Sequence, residues 1–202
     1  RFYAPKRTRN RLDCPHHSPF VNFQQDMFPL RIAITGTEST GKSTLAVALA
    51  AHYQAMFVPE YARQYIDQIQ QPYTLADIEM IARQQMAMED NMAAQTTSSL
   101  LFCDTDLLVT KIWAEHAFQT CPIWIIQQLQ QRPPYTLYLL LDIDLPWQPD
   151  PQREHPHLRQ YFFEWYKKEL IALQVNWVVI SGIGEQRLHN AIEVVDTLLA
   201  KH

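Results

Sequence analysis

Only four glycines occur in the 202 residues, Gly36, Gly41, Gly182 and Gly184, so a glycine-rich repeat is excluded and no internal repeat of another kind is visible. Cysteine is as scarce. Cys14, Cys103 and Cys121 are an odd number without the close spacing of a zinc site, and Cys103 lies in an apolar run where a buried thiol is expected. Such usage suits a reducing cytoplasm. A basic excess is also missing: 17 Lys and Arg stand against 21 Asp and Glu, for a formal net charge of -4. With no overall positive field, neither nucleic acid nor an anionic membrane is the expected partner, and any bound anion has to be gripped locally. No stretch is long and apolar enough to span a bilayer, and the start Arg1-Phe2-Tyr3 has no signal-peptide core, so the expected location is cytoplasmic.

What is present begins with a segment unlike the rest. In residues 1 to 26 five basic residues precede any acid, and prolines and paired histidines follow without apolar periodicity. This reads as a poorly ordered tail, or alternatively as a basic arm that touches phosphates, with Met27 standing just before the first regular element. From residue 30 to 202 one domain is expected. Short apolar runs at Arg31–Thr35, Met56–Val58, Leu100–Cys103, Thr136–Leu141 and Trp177–Ile180 are bounded by polar turns, the mark of strands buried on both faces of a parallel sheet. Between and after them the helical stretches are Ser43–Tyr53, Ala62–Ile69, Leu75–Ala94, Leu107–Ala117, Ile123–Gln130, Leu158–Gln174 and Gln186–Lys201, and Thr74 with Asp77 makes a capping pair. The expectation is a doubly wound α/β fold around a five-stranded parallel sheet, of the P-loop NTPase kinase type, with a helical lid region.

The strongest motif is Gly36-Thr37-Glu38-Ser39-Thr40-Gly41-Lys42-Ser43, which stands between the strand Ile32-Ala33-Ile34-Thr35 and an apolar-sided helix. Two of the four glycines fall on its two demanded positions. Glycine lets the backbone turn tightly with successive N–H groups inward, so residues from Gly36 through Thr44 would wrap phosphate oxygens while the helix N-terminus adds partial positive charge. Lys42 would reach the β- and γ-phosphates of ATP, and the Ser43 hydroxyl would meet Mg²⁺.

Phosphoryl transfer needs that ion held by an acid at the end of a neighbouring strand, and Leu100-Leu101-Phe102-Cys103-Asp104 offers Asp104. Asp106 would contact the metal's water shell or a substrate hydroxyl, or else cap the helix after it. Val58-Pro59-Glu60-Tyr61-Ala62-Arg63 ends the second strand at the same sheet edge. There Glu60 could take a proton from an attacking hydroxyl and Arg63 could orient the acceptor, unless the two merely pair on the surface. After the fourth strand, Asp142 to Arg159 is a proline-rich loop read as a lid over the nucleotide or as a plain linker, with Arg153 the first candidate to lay charge on the transferring group and Arg159 the second. His155 and His157 flank a proline with no third partner in view, so no metal site is expected there. Trp113 reads equally as core or as a stacking surface.

Taken in order, the phosphate loop, Glu60-Tyr61-Ala62-Arg63, Asp104-Thr105-Asp106 followed by Thr110, and Pro146-Trp147 with Asp150 and Arg153 resemble the ribosylnicotinamide kinase domain of NadR-type NAD-biosynthesis proteins, over about residues 30 to 200. The adenylyltransferase domain that usually precedes it is not expected in this chain. The resemblance implies transfer of the γ-phosphate of ATP to the 5′-hydroxyl of nicotinamide riboside. The readings together make Lys42, Glu60, Asp104 and Arg153 catalytic, with Glu60 or Asp104 taking the acceptor proton, and put Ser43 and Asp104 at Mg²⁺ and Glu60, Tyr61, Arg63, Asp106 and Arg159 at the acceptor. The Val-Pro-Glu and Ala-Arg stretch is also similar to deoxynucleoside kinases. Two alternatives remain open: a kinase for another nucleoside or nucleotide, and a regulatory ATPase without a small acceptor.

Overall fold

The computed structural model describes residues 28–69 and 71–201, so the amino-terminal tail and Cys14 lie outside the described residues. Five apolar runs become parallel strands: β1 (Leu30–Thr35), β2 (Met56–Val58), β3 (Leu100–Asp104), β4 (Leu137–Leu141) and β5 (Trp177–Ile180). Their order across the sheet is β2-β3-β1-β4-β5, with β1 central. Seven helices connect and flank them: α1 (Lys42–Tyr53), α2 (Tyr61–Gln68), α3 (Leu75–Gln95), α4 (Leu107–Phe118), α5 (Ile123–Gln131), α6 (Arg159–Ala172) and α7 (Glu185–Leu199). Every expected strand and helix forms, with ends moved by one or two residues. The expected capping pair also forms, with the Thr74 N–H donating to Asp77 at 2.7 Å and the Asp77 N–H to the Thr74 hydroxyl at 3.3 Å.

Period-two alternation explains how one strand serves two cores. Ile32, Ile34, Phe102, Leu139 and Leu141 face one side and meet Leu45, Leu49, Ala191 and Val195 of α1 and α7. Ala33, Leu101, Cys103, Tyr138 and Leu140 face the other and meet Leu108 and Ile112 of α4 and Phe163, Tyr166 and Leu170 of α6. All residues of β3 and β4 are buried. A smaller cluster of Ile78, Ala82, Leu107, Ala114 and Ile125 ties α3, α4 and α5 together. Because all strands run the same way, their carboxyl ends share one edge. Gly36, Glu60, Asp104, Asp142 and Ser181 all stand at or just past it.

A charged group interrupts the second core. Glu89 of α3 is 0% exposed, accepts the Tyr135 hydroxyl at 2.7 Å and faces the Arg132 guanidinium at 3.3 Å. Burial raises its pKa from the ordinary 4.5 to about 7, against the lowering pull of Tyr135 and Arg132. As pH climbs through that window the unfolded chain gives up the proton first, so folding loses stability with rising pH. Glu89→Gln removes this contribution. In urea denaturation at pH 5 and pH 8, the native protein should lose up to about 3 kcal/mol more than the variant between the two conditions. Equal losses would show that Glu89 does not titrate there.

Candidate active site

The loop between β1 and α1 is shaped by two positions that tolerate no side chain. Gly36 sits at φ 132°, and a Cβ there would come within 3.2 Å of the Leu141 carbonyl oxygen. Gly41, at φ 81°, is the residue from which α1 starts. The carbonyls of the loop are nearly all occupied from behind. Lys42 Nζ donates to Gly36 O at 3.0 Å and Thr37 O at 3.1 Å, the Thr40 hydroxyl also donates to Thr37 O, and Arg159 Nη2 donates to Ser39 O at 3.3 Å. Thr40 O accepts from Arg187, and Gly41 O from the Leu45 N–H. The N–H groups of residues 37 to 44, in contrast, have no acceptor among the described residues. Donors at the start of a helix without partners, in a turn that bares the backbone, are what an anion requires.

Asp104 and Asp106 flank Thr105, a β-branched residue held at φ 79° with its N–H donating to Ile34 O at 3.1 Å. That conformation costs roughly 1–3 kcal/mol and is tolerated where the surroundings over-determine it. Burial pushes the Asp104 carboxyl up to about 6, while the Ser43 hydroxyl and Lys42 pull it down and Glu60 pushes it further up. Asp106 is likewise pushed to about 6 by burial, opposed first by the Val109 N–H that it caps at 3.0 Å. The capping reading of Asp106 holds, since Oδ1 caps α4, while Oδ2 is buried with no partner among the described residues. Asp104 Oδ1 is orphaned in the same way. An unpartnered buried carboxylate oxygen beside a serine hydroxyl fits a hard, oxygen-seeking cation such as Mg²⁺. Since no cluster of three His, Cys, Asp or Glu exists among the described residues, the remaining ligands of such an ion would be waters and phosphate oxygens.

Glu60 stands at the N-cap position of α2 without a side-chain bond to it, and the first helical N–H, that of Tyr61, donates to the buried Gln85 at 2.9 Å. Arg63 does not pair with Glu60. Its guanidinium reaches Asp150 in the lid at 3.0 Å, and Gln152 Nε2 donates to Arg63 O at 3.1 Å and to Asp67. On its other side the lid is tied to the phosphate loop. The Gln148 N–H donates to the Ser39 hydroxyl at 2.9 Å, and the N–H groups of Glu154 and His155 both donate to the Glu38 carboxylate at 3.2 Å. The lid contains no α-helix of its own, only a short 3-10 turn over Pro156–Leu158 before α6. Arg153 donates to Gln148 O at 2.6 Å, within its own loop.

These parts surround a cavity of about 330 Å³. Residues 36 to 44 with Glu60, Arg63 and Arg153 form its polar side. Tyr61, Asp104, Asp106 and Arg159 are not on its wall: Arg159 is turned to Ser39 O and Leu145 O, and Asp104 is covered to 2% exposure. Aromatic rings also line the cavity. Tyr73 and Trp113 meet edge to face at 4.8 Å, and His116 packs on His155 at 4.6 Å and on Phe162 at 4.8 Å. Trp113, ambiguous in the sequence, thus faces the cavity. Tyr73, His116 and Arg187 escaped the sequence reading. Arg187 alone left a signal, a charge on the 187, 191, 195 stripe whose other members are apolar and buried.

Comparison with known proteins gives the same frame. The trifunctional NAD biosynthesis/regulator protein NadR of Escherichia coli (strain K12) is 30% identical over 135 residues, 61% of this chain and 30% of that protein, so the chain spans less than a third of its length. Solved structures of a NadR protein, in complex with NAD and AMP-PNP and in complex with NR, superpose with TM-scores of 0.68 and 0.67 at 24% identity. Each covers 85% of this chain, which spans 50% and 52% of theirs. Thymidylate kinase from Candida albicans has TM-score 0.61 at 14% identity, over 84% of this chain and 92% of its own. At these identities the solved structures share the fold. The family assignment rests on the sequence itself: the AAA domain model (AAA_28) matches residues 31–187, from the first strand through the buried arginine of α7, and the chain belongs to that family.

Proposed function

We propose that this chain is an ATP-dependent kinase that phosphorylates the 5′-hydroxyl of a nucleoside with a flat, electron-poor ring, nicotinamide riboside being the acceptor that fits best. The observation that carries this reading is one cavity lined both by the phosphate-loop backbone and by aromatic rings. The first suits a triphosphate. The acceptor hydroxyl would meet the γ-phosphate near Glu60, which lines the same cavity. The aromatic lining is also negative in character, because Tyr73 donates to Glu154 at 3.3 Å and its hydroxyl pKa is raised by burial and by the charges of Glu154 and Glu38. A cationic pyridinium ring is favoured by both aromatic faces and nearby carboxylates. The resemblance to proteins solved with AMP-PNP and with NR supports the same pairing of ligands.

In this reading Lys42 neutralises phosphate charge, and Ser43 and Asp104 would hold Mg²⁺, which would supply further charge neutralisation for the transfer. Glu60 accepts the proton of the attacking hydroxyl. Arg63, through Asp150, holds the lid against the acceptor side, and Arg153 reaches the transferring group once it releases Gln148 O.

Lys42→Ala is expected to lower turnover at least about a hundredfold while the protein still folds, at a melting temperature a few degrees lower because Gly36 O loses its donor. Glu60→Gln should slow turnover by about 10²–10⁴ while ATP affinity, read by calorimetry, stays the same. The deciding assay measures ADP release from ATP and Mg²⁺ with nicotinamide riboside, uridine, thymidine or thymidine monophosphate. Acceleration by nicotinamide riboside above the others supports the assignment. Slow hydrolysis indifferent to every acceptor would instead mark a regulatory ATPase, and unaltered rates in both variants would remove the residue roles.

A further inference from the structure

Arg187 of α7 is the one buried cationic residue among those described, while Ala191 and Val195 on the same face pack α7 on the sheet through apolar contacts. Its guanidinium is instead spent on four acceptors from three separate segments. Nε donates to Gly182 O after β5 at 2.7 Å, Nη2 to Asp142 O after β4 at 3.3 Å and to the Asp144 carboxylate, and Nη1 to Thr40 O in the phosphate loop. A Cβ placed on Gly41 would lie 3.8 Å from that same Nη1, so the cation stands directly behind the Thr40–Gly41 peptide.

A trans peptide is planar, with its C=O and N–H pointing in opposite directions. Holding Thr40 O toward Arg187 therefore turns the Gly41 N–H away from Arg187 and into the cavity. At Gly41 such control is needed, because glycine has no Cβ to restrict rotation of that plane. The geometry points to Arg187 as a positioning residue for nucleotide binding: it never touches phosphate, and it orients the Gly41 amide that does. Asp144 and Asp142 hold the guanidinium in turn. The inference rests on the phosphate-loop reading but not on the identity of the acceptor. Lysine cannot replace it, since one ammonium has three donors at a point where the guanidinium spreads five in a plane.

The chain's four glycines make this measurable, because selective ¹⁵N-glycine labelling gives a spectrum of only four amides. On adding ATP to the native protein, the Gly41 resonance should move downfield as its N–H meets a phosphate oxygen. In Arg187→Gln that shift should be lost and calorimetric ATP affinity should fall about tenfold to a hundredfold, with Arg187→Lys recovering little of it. Val195→Ala, which loosens α7 without touching the loop, serves as the stability control and should bind ATP as the native protein does. Native ATP affinity and a native Gly41 shift in Arg187→Gln would overturn the inference, as would equal weakening in Val195→Ala. If the native protein itself binds no ATP, the phosphate-loop reading fails, and the positioning role fails with it.

Discussion

Occupied carbonyls at the turn between β1 and α1 are the constraint on which the rest of the site depends. Peptide groups in so tight a turn have both a donor and an acceptor to satisfy, and a buried polar group left alone costs roughly 1–3 kcal/mol. Here the acceptors of Gly36, Thr37, Ser39 and Thr40 are met by Lys42, Thr40, Arg159 and Arg187, which leaves the donors facing the cavity. An anion then completes what the protein leaves undone. The cations do double duty, since their charge also raises the potential where phosphate would sit.

That constraint extends into the lid. Glu38 and Ser39 of the same loop accept three lid N–H groups, while Arg63 and Asp67 of α2 engage Asp150 and Gln152. Two sides of the cavity are thereby joined by contacts between segments far apart in the chain. Individually these exposed contacts are weak, worth on the order of 1 kcal/mol or less each, so the lid can open at modest cost. The unpartnered oxygens of Asp104 and Asp106 are a different matter. Their burial holds both carboxyls near 6, a state that a cation beside them would relieve.

The strands were legible in the sequence because burial on both faces makes each an uninterrupted apolar run, and the phosphate loop because two scarce glycines fall five positions apart in one motif. Helix ends shifted by a residue or two, since caps such as Glu60 at α2 and Gly184 at α7 are set by packing as much as by local preference. The partners of side chains were less visible. Arg63 stands three positions from Glu60, yet its partner Asp150 lies 87 positions away. Arg187 meets a backbone carbonyl 147 positions away, and a carbonyl leaves no mark in the residue code. An arginine in a lid sequence suggests a ligand contact, but Arg159, just after the short 3-10 turn, donates to Ser39 O and Leu145 O. Tyr73 lies in an irregular stretch just ahead of α3, where no periodicity flags it.

A crystal structure of the chain with a non-hydrolysable ATP analogue and Mg²⁺ tests the account most directly. The predicted result is a β-phosphate seated among the N–H groups of residues 37 to 44, the ion between Ser43 and the Asp104 side, and loop carbonyls still held by Arg159 and Arg187. A triphosphate bound elsewhere, or a loop whose carbonyls turn inward to displace it, would contradict the account.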